Sequence, residues 1–277
     1  MKKIKLSGPA FIILAAVFWG MQGLFSKMNT WGTLSLIAVR SMFSTLALGI
    51  LRRDFRPKFT KGNIIAAVSV CITASTFIAA TKLTTAANAV ILQYTMTVYI
   101  LLFEWLFLKK RPKGLDIGAF LLLILGIILC MAGNMGKGRL SGDILGLVSA
   151  LSFSVVYLAK RMEGTSAVHY SYMGCALMMI FTVAIPFDPL FDFQPVNIIS
   201  AAGMGLCVGI GYYCFGRGLD SGMKAVHAAV LSYIEPVLNP LLVLLVVGEK
   251  PTWVSFLGFF VVLVTVIIYN VLEGGKE

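Results

Sequence analysis

The chain has 277 residues, of which 58% are hydrophobic and only 13% are charged, and its formal net charge is +11 at pH 7. The mean hydropathy of +0.90 exceeds what a water-soluble globular domain needs. Composition therefore excludes a soluble domain and indicates that the chain is dissolved in lipid.

Apolar stretches of membrane-spanning length follow one another along the whole chain. A helix that crosses a hydrocarbon core of about 30 Å needs about 20 apolar residues. Ten such stretches, joined by short polar or basic links, predict an all-α polytopic membrane protein with ten transmembrane helices in a single domain, residues 1–277. The predicted helices are residues 9–25, 33–51, 63–80, 86–108, 115–132, 143–159, 169–186, 197–215, 225–247 and 253–272.

The positions of the basic residues predict how the chain is oriented. If the N-terminus is cytoplasmic, 17 of the 23 Lys and Arg residues fall in segments on the inner side. This is the positive-inside bias of membrane proteins, and it places both termini in the cytoplasm of a multi-pass protein of the cytoplasmic membrane. The same distribution explains the net charge without a nucleic-acid partner.

A weak internal repeat relates the two halves of the chain. Matches at an offset of about half the length include Gly8 with Gly142, Ala16 with Ala150, and Tyr94 with Tyr233. They predict one five-helix repeat over residues 8–138 and a second over residues 139–273. Because five is odd, the second copy enters the membrane from the opposite side, and inverted repeats favour a carrier that works by alternating access.

Three motifs then resemble a known family. Trp19-Gly20 in the first predicted helix, Arg40 in the second and Glu235-Pro236 in the ninth are similar to those of the drug/metabolite transporter superfamily, and within it of the ten-helix EamA-like carriers. The resemblance implies a secondary transporter that moves small metabolites, commonly amino acids or related compounds and in some cases drugs, through a central cavity. It fixes neither the substrate nor the direction of transport.

Glu235 is the most informative candidate for the site. A carboxylate in mid-bilayer costs about 2.5–3.5 kcal/mol on insertion scales, so it should face a cavity or a partner. Arg40 has a comparable depth, which leaves a structural ion pair as the alternative. Pro236 and Pro240 lack the amide hydrogen of a helical bond and should kink the ninth helix and free carbonyls from about residue 232 to 236. A purely structural kink is the alternative for the prolines.

Further candidates are polar or aromatic side chains on predicted helices. Helical spacing places Asn88, Thr95 and Tyr99 on one stripe. His227 can titrate near neutral pH, which suits proton coupling, and the alternative is a solvated interfacial residue without that role. Trp and Tyr near helix ends more often form the interfacial belt. The complete set of cavity candidates is Trp19, Gln22, Arg40, Asn88, Thr95, Tyr99, Tyr157, Tyr213, His227, Glu235 and Asn239.

Other classes of function have less support in the sequence. A nucleotide-binding loop, a His-Glu-x-x-His motif and a Gly-x-Ser-x-Gly motif are all absent, and the chain has only two histidines. A channel or scaffold, and less favourably a membrane enzyme, remain the alternatives to a carrier. The expected partners are a small-molecule substrate and the lipid bilayer, with no metal and no cofactor, and proton coupling and oligomeric state are left open.

Overall fold

The computed structural model describes residues 7–84, 86–109, 111–131, 139–238 and 253–274, and every regular element within these ranges is helical. Short 3₁₀ segments, Ala159–Arg161 and Met179–Phe187, follow two of the α-helices. In chain order the α-helices are α1 (Gly8–Gly20), α2 (Gln22–Met28), α3 (Thr33–Arg52), α4 (Lys61–Leu83), α5 (Ala86–Tyr94), α6 (Met96–Leu108), α7 (Gly114–Met131), α8 (Leu140–Leu158), α9 (Ala167–Met178), α10 (Pro195–Asp220), α11 (Ala225–Ser232), α12 (residues 234–238) and α13 (Trp253–Gly274).

Length and apolar composition identify the helices that can cross a bilayer. Within the described ranges six helical stretches qualify, and four shorter apolar stretches lie within or across the remaining helices. The shorter ones are Leu92–Phe107, Gly114–Leu129, Ala225–Leu238 and Phe256–Tyr269. The chain is therefore a polytopic all-helical membrane protein, while ten crossings and cytoplasmic termini stay predictions.

Close helix packing brings distant parts of the chain together. α4 packs against α8 and α9, whereas α10 packs against α1 and α3, and α7 packs against α13. Helices from the first half of the chain thus pack against helices from the second half. Tyr157 and Phe215 are among the largest fully buried side chains of the shared core.

Three helices that hydropathy predicts as continuous are interrupted in the structure. The first breaks at Met21 after Gly20, a residue that weakens a helix interior. The fourth breaks at Thr95, whose amide and hydroxyl both donate to the Leu92 carbonyl at 3.1 and 2.6 Å. The ninth breaks at Tyr233, three residues before Pro236. The break lies near Pro236, the predicted kink itself stays a prediction, and Pro240 lies outside the described residues.

A polar cluster ties the segment before α3 to the segment before α10. Trp31 Nε1 donates to Asp192 Oδ1 at 3.1 Å, and the Asn197 side-chain amide donates to the same oxygen at 2.7 Å. Asn29 donates to the Asn197 carbonyl at 2.9 Å. These bonds lower the pKa of the Asp192 carboxyl, with the Asn197 amide contributing most.

We expect acid to weaken this cluster. Because the pKa of Asp192 is lower in the folded than in the unfolded protein, its stabilisation is present above the unfolded pKa of about 3.9 and is lost as pH falls through the folded value. Asp192→Asn should therefore lower the unfolding temperature at neutral pH and flatten its decline below about pH 4. Thermal unfolding of both proteins between neutral and acid pH measures this, and parallel pH curves would contradict it.

Candidate functional site

A small cavity lies at the centre of the helices, where the interrupted first helix meets the interrupted ninth. Its volume is about 50 Å³, enough for a few water molecules but not for a metabolite of any size. The lining residues are Trp19, Gln22, Arg40, Thr73, Ala74, Phe77, Gln93, Phe153, Val208, Tyr212 and Glu235.

Arg40 supplies the cavity with a buried positive charge. Only 3% of the residue is exposed, and one Nη1–H donates to Gln22 Oε1 at 3.2 Å. Within the described part of the chain, the Nε–H of Arg40 has no acceptor and no carboxylate lies within ion-pair distance. A buried guanidinium with so little compensation is a good binding group for an anion.

Glu235 supplies the cavity with a carboxyl group, whose surroundings differ from those of Arg40. The hydroxyl of Tyr94 lies 2.8 Å from Glu235 Oε2 and 3.0 Å from the carbonyl oxygen of Ser232. Pro236 has no amide hydrogen for the Ser232 carbonyl four residues earlier, so the phenol replaces a helical donor. The Ser232 carbonyl thus lies in the range, residues 232 to 236, where proline was expected to free carbonyls, and Tyr94 is its donor.

The two ionisable side chains share one cavity without forming an ion pair in the described residues. Arg40 extends from α3 and Glu235 from α12, and both line the same space. Across the residues that the structure describes, no ion pair joins them within 4.0 Å. The structural ion pair considered as an alternative is therefore not formed in this conformation, and both groups can meet a ligand.

Aromatic rings form one wall of the cavity. The Trp19 ring lies 5.2 Å from Tyr212 and 5.8 Å from Phe153, in edge-on or tilted contacts. Gly211 makes room for the indole, because a Cβ at that position would lie 2.5 Å from Trp19 Nε1. The neighbouring Gln93 side chain donates to Ser149 Oγ at 3.0 Å, which fixes the amide at the cavity.

The structure brings together four of the predicted site residues, Trp19, Gln22, Arg40 and Glu235. Tyr157, His227, Thr95, Tyr99 and Tyr213 are not among the lining residues of the cavity. Tyr157 is buried beside the cavity, with its hydroxyl 2.6 Å from Ser232 Oγ. His227 is fully buried on α11 against the Tyr269 ring at 5.9 Å. Thr95 marks the break after α5, Tyr99 and Tyr213 pack against the core, Asn88 lies in the first turn of α5, and Asn239 lies outside the described residues.

Sequence reasoning missed several residues of the site. Tyr212 lines the cavity, whereas its neighbour Tyr213 does not. Gln93, the residue before Tyr94 in the sequence, also lines it. A signal for Tyr94 did exist, since the internal repeat pairs it with Tyr233. The structure places these two rings 4.7 Å apart, and Tyr233 donates its hydroxyl hydrogen to the Tyr94 carbonyl at 2.8 Å.

A charged cavity enclosed by membrane-spanning helices is the arrangement of a membrane transporter. The model of the EamA-like transporter family matches residues 6–132 and 140–271, and the chain belongs to that family.

Relatives agree with this assignment, and a solved structure has the same fold. An uncharacterized transporter of Clostridium kluyveri is 25% identical over 95% of this chain and 93% of its own length. One from Archaeoglobus fulgidus is 27% identical over 94% and 95%, and the uncharacterized transporter YwfM of Bacillus subtilis is 24% identical over 94% and 92%. A crystal structure, described only as that of a protein, has a TM-score of 0.83 at 17% identity, covering 98% of both chains, and shows the same fold.

Proposed function

We propose that the protein is a secondary carrier that moves a small zwitterionic metabolite, such as an amino acid or a related compound, across the cytoplasmic membrane by alternating access. The observation that carries this proposal is the unpaired placement of Arg40 and Glu235 on one cavity. Arg40 would bind the carboxylate of the substrate, and Glu235 would bind its ammonium group.

Two inverted five-helix repeats, residues 8–138 and 139–273, would supply the alternating motion. The packing supports this, because α4 in the first half contacts α8 and α9, while its counterpart α10 in the second half contacts α1 and α3. The family match also falls in two separate segments, one in each half. Exchange of conformations between the halves would open the cavity to one side and then to the other.

The cavity, at about 50 Å³, is smaller than the substrate that this proposal requires. Binding of even a small zwitterion must widen it, and the breaks at Met21, Thr95 and Tyr233 are the points at which the lining helices can bend. Widening at broken helices costs less than bending an intact hydrogen-bonded helix.

Counterflow in proteoliposomes tests the proposal. Vesicles loaded with a mixture of unlabelled amino acids should accumulate a labelled amino acid of the transported kind, with a rate that saturates. The matching amine and the matching carboxylic acid, each lacking one charge, should exchange at least roughly tenfold more slowly, because each loses one charged hydrogen-bond partner. A channel would give no counterflow, and an enzyme would return an altered compound.

Arg40→Gln should abolish most of this exchange, and Arg52→Gln is the matched control. Both arginines lie on α3, but Arg52 is only partly buried, stacks on the Tyr172 ring at 4.3 Å and is close to Asp54 at 3.7 Å, outside the cavity lining. Counterflow per folded molecule should therefore fall far less in Arg52→Gln. Equal losses in the two variants, or equal exchange of the singly charged analogues, would contradict the zwitterion site.

A further inference from the structure

One phenol hydrogen in this protein has two acceptors. Tyr94 Oη lies 2.8 Å from Glu235 Oε2 and 3.0 Å from the Ser232 carbonyl oxygen, and both distances are those of good hydrogen bonds. A tyrosine hydroxyl carries a single hydrogen, so it can donate fully to only one of them at a time. The other acceptor must find another donor or go without that bond.

The protonation state of Glu235 decides which acceptor receives the hydrogen. When the carboxyl is ionised, the phenol donates to the carboxylate, because charge-assisted hydrogen bonds are the stronger ones. When a proton binds Oε2, the acid can itself donate to Tyr94 Oη, and the phenol hydrogen rotates to the Ser232 carbonyl. The O–H bond of the phenol stays intact in both states, and the only proton gained is the one on Glu235.

The Ser232 carbonyl is a consequential acceptor because it lies at the break in the ninth helix. Its helical donor would be the amide of residue 236, and that residue is a proline. Ionisation of Glu235 therefore removes the Tyr94 bond at the point where α11 meets α12. Protonation restores the bond from Tyr94 to the Ser232 carbonyl, and this bond holds the break in the ninth helix against α5.

The symmetry-related contact lacks such a switch. Tyr233 donates to the Tyr94 carbonyl at 2.8 Å, and the Thr97 hydroxyl lies 3.1 Å from Tyr233 Oη. The internal repeat aligns Glu235 with Met96, a fully buried thioether that exchanges no proton. Each tyrosine hydroxyl thus bonds to a carbonyl oxygen at the other helix break. Of these two bonds, only that of Tyr94 depends on an ionisable group.

The remaining groups around Glu235 do not replace Tyr94. From α8, Tyr157 has its hydroxyl 2.6 Å from Ser232 Oγ, and from α10, Tyr212 faces the same cavity. Arg40 lines the same cavity from α3 and forms no ion pair with Glu235 in the described residues. Among the described side chains, Tyr94 alone makes a direct hydrogen bond to the Glu235 carboxyl.

We propose that Tyr94 is a positioning residue that couples the protonation of Glu235 to the closure of the break in the ninth helix. This rests on the proposed function in one respect, namely that Glu235 belongs to the substrate cavity of a carrier. Tyr94 does not contact substrate in this proposal. It links the protonation state of Glu235 to the hydrogen bonding of the Ser232 carbonyl.

Infrared difference spectroscopy of the purified full-length protein in liposomes tests the coupling without any substrate. The carbonyl stretching band of a protonated glutamic acid should disappear as pH rises, and its absence in Glu235→Gln assigns it. Tyr94→Phe removes the donor to the carboxylate, so the midpoint of this titration should rise by about one pH unit. Tyr233→Phe is the matched control and should leave the midpoint within a few tenths of a unit.

A second variant keeps the test informative if Tyr94→Phe folds poorly. Replacement of Tyr94 by 3-fluorotyrosine makes the phenol a stronger donor, so the midpoint should move the other way, to lower pH. An unchanged midpoint in both Tyr94 variants, an equal shift in Tyr233→Phe, or no titrating band assignable to Glu235 would overturn the proposal. Loss of counterflow with these spectral shifts intact would instead count against the carrier function alone.

Discussion

Glu235→Gln should reduce counterflow by roughly tenfold to a hundredfold, whereas Glu104→Gln should change it less than about fivefold. Glutamine keeps the size of the side chain and can still accept a hydrogen bond from Tyr94. It can neither bind an ammonium group as an ion pair nor exchange a proton. The variant therefore removes the ionisable carboxyl group of residue 235 and keeps the shape of the cavity.

Glu104 is the matched comparison because it is also a glutamate on a predicted membrane helix. It lies on α6 near the helix end and forms an ion pair with Arg161, at the rim of a separate cavity of about 170 Å³. Its side chain is 13% exposed, so water screens part of the pair. An ion pair of this kind contributes about 0–1 kcal/mol, whereas a tenfold to hundredfold loss of counterflow with Glu235→Gln corresponds to about 1.4–2.7 kcal/mol.

The measurement is the initial rate of counterflow, normalised to the amount of monodisperse protein in the vesicles. A saturating substrate series then separates a loss of affinity from a loss of rate. If the two glutamine variants lose the same share of activity, the assignment of Glu235 to the substrate cavity is wrong. Glu235→Asp should recover part of the rate, since it restores the charge at a shorter reach.

Hydropathy predicted the helices well where length alone decides them. The second helix was expected over residues 33–51 and is observed as Thr33–Arg52, because every residue of a lipid-spanning helix must be apolar or shielded. The break at Thr95 escaped prediction, since no proline marks it and only the geometry of Thr95 with the Leu92 carbonyl shows it. Proline did mark the break at Tyr233.

The cavity was predictable in part, and the reason lies in what hydropathy measures. A buried charge in an apolar run has few explanations, so Arg40 and Glu235 stood out from the sequence. The face that each helix turns inward is set by packing, which a hydropathy window averages away. Tyr212 and Tyr213 are adjacent and therefore about 100° apart around α10, yet only Tyr212 lines the cavity.

Gly205→Ala should destabilise the protein and also impair transport, because it separates α10 from α3. A Cβ at residue 205 would lie 2.3 Å from the carbonyl oxygen of Arg40 and 2.6 Å from the Cβ of Phe43. Backbone and Cβ atoms cannot move aside as a flexible side-chain end can, so the helices must part. Overpacking of this kind costs about 1–3 kcal/mol, which corresponds to a fall of about 2–10 °C in unfolding temperature.

The link to transport runs through the backbone that carries Arg40. Ser44 Oγ lies 2.9 Å from the Arg40 carbonyl and 2.9 Å from the Gly205 carbonyl, so it is a hydrogen-bonding bridge between the two helices at this level. A displaced α3 would carry the guanidinium away from Gln22 and from the cavity. We therefore expect counterflow of Gly205→Ala to fall even at temperatures where the variant remains folded.

Gly118→Ala is the matched control on α7, since a Cβ there meets no atom within 4 Å. Alanine is favoured over glycine in a helix interior by about 0.5–1 kcal/mol, so this variant should unfold at the same or a slightly higher temperature. Thermal unfolding in one detergent, together with counterflow at a single temperature, compares the pair. Equal unfolding temperatures for the two variants would show that α3 and α10 do not approach as closely as described, and would remove the support this contact gives to the position of Arg40.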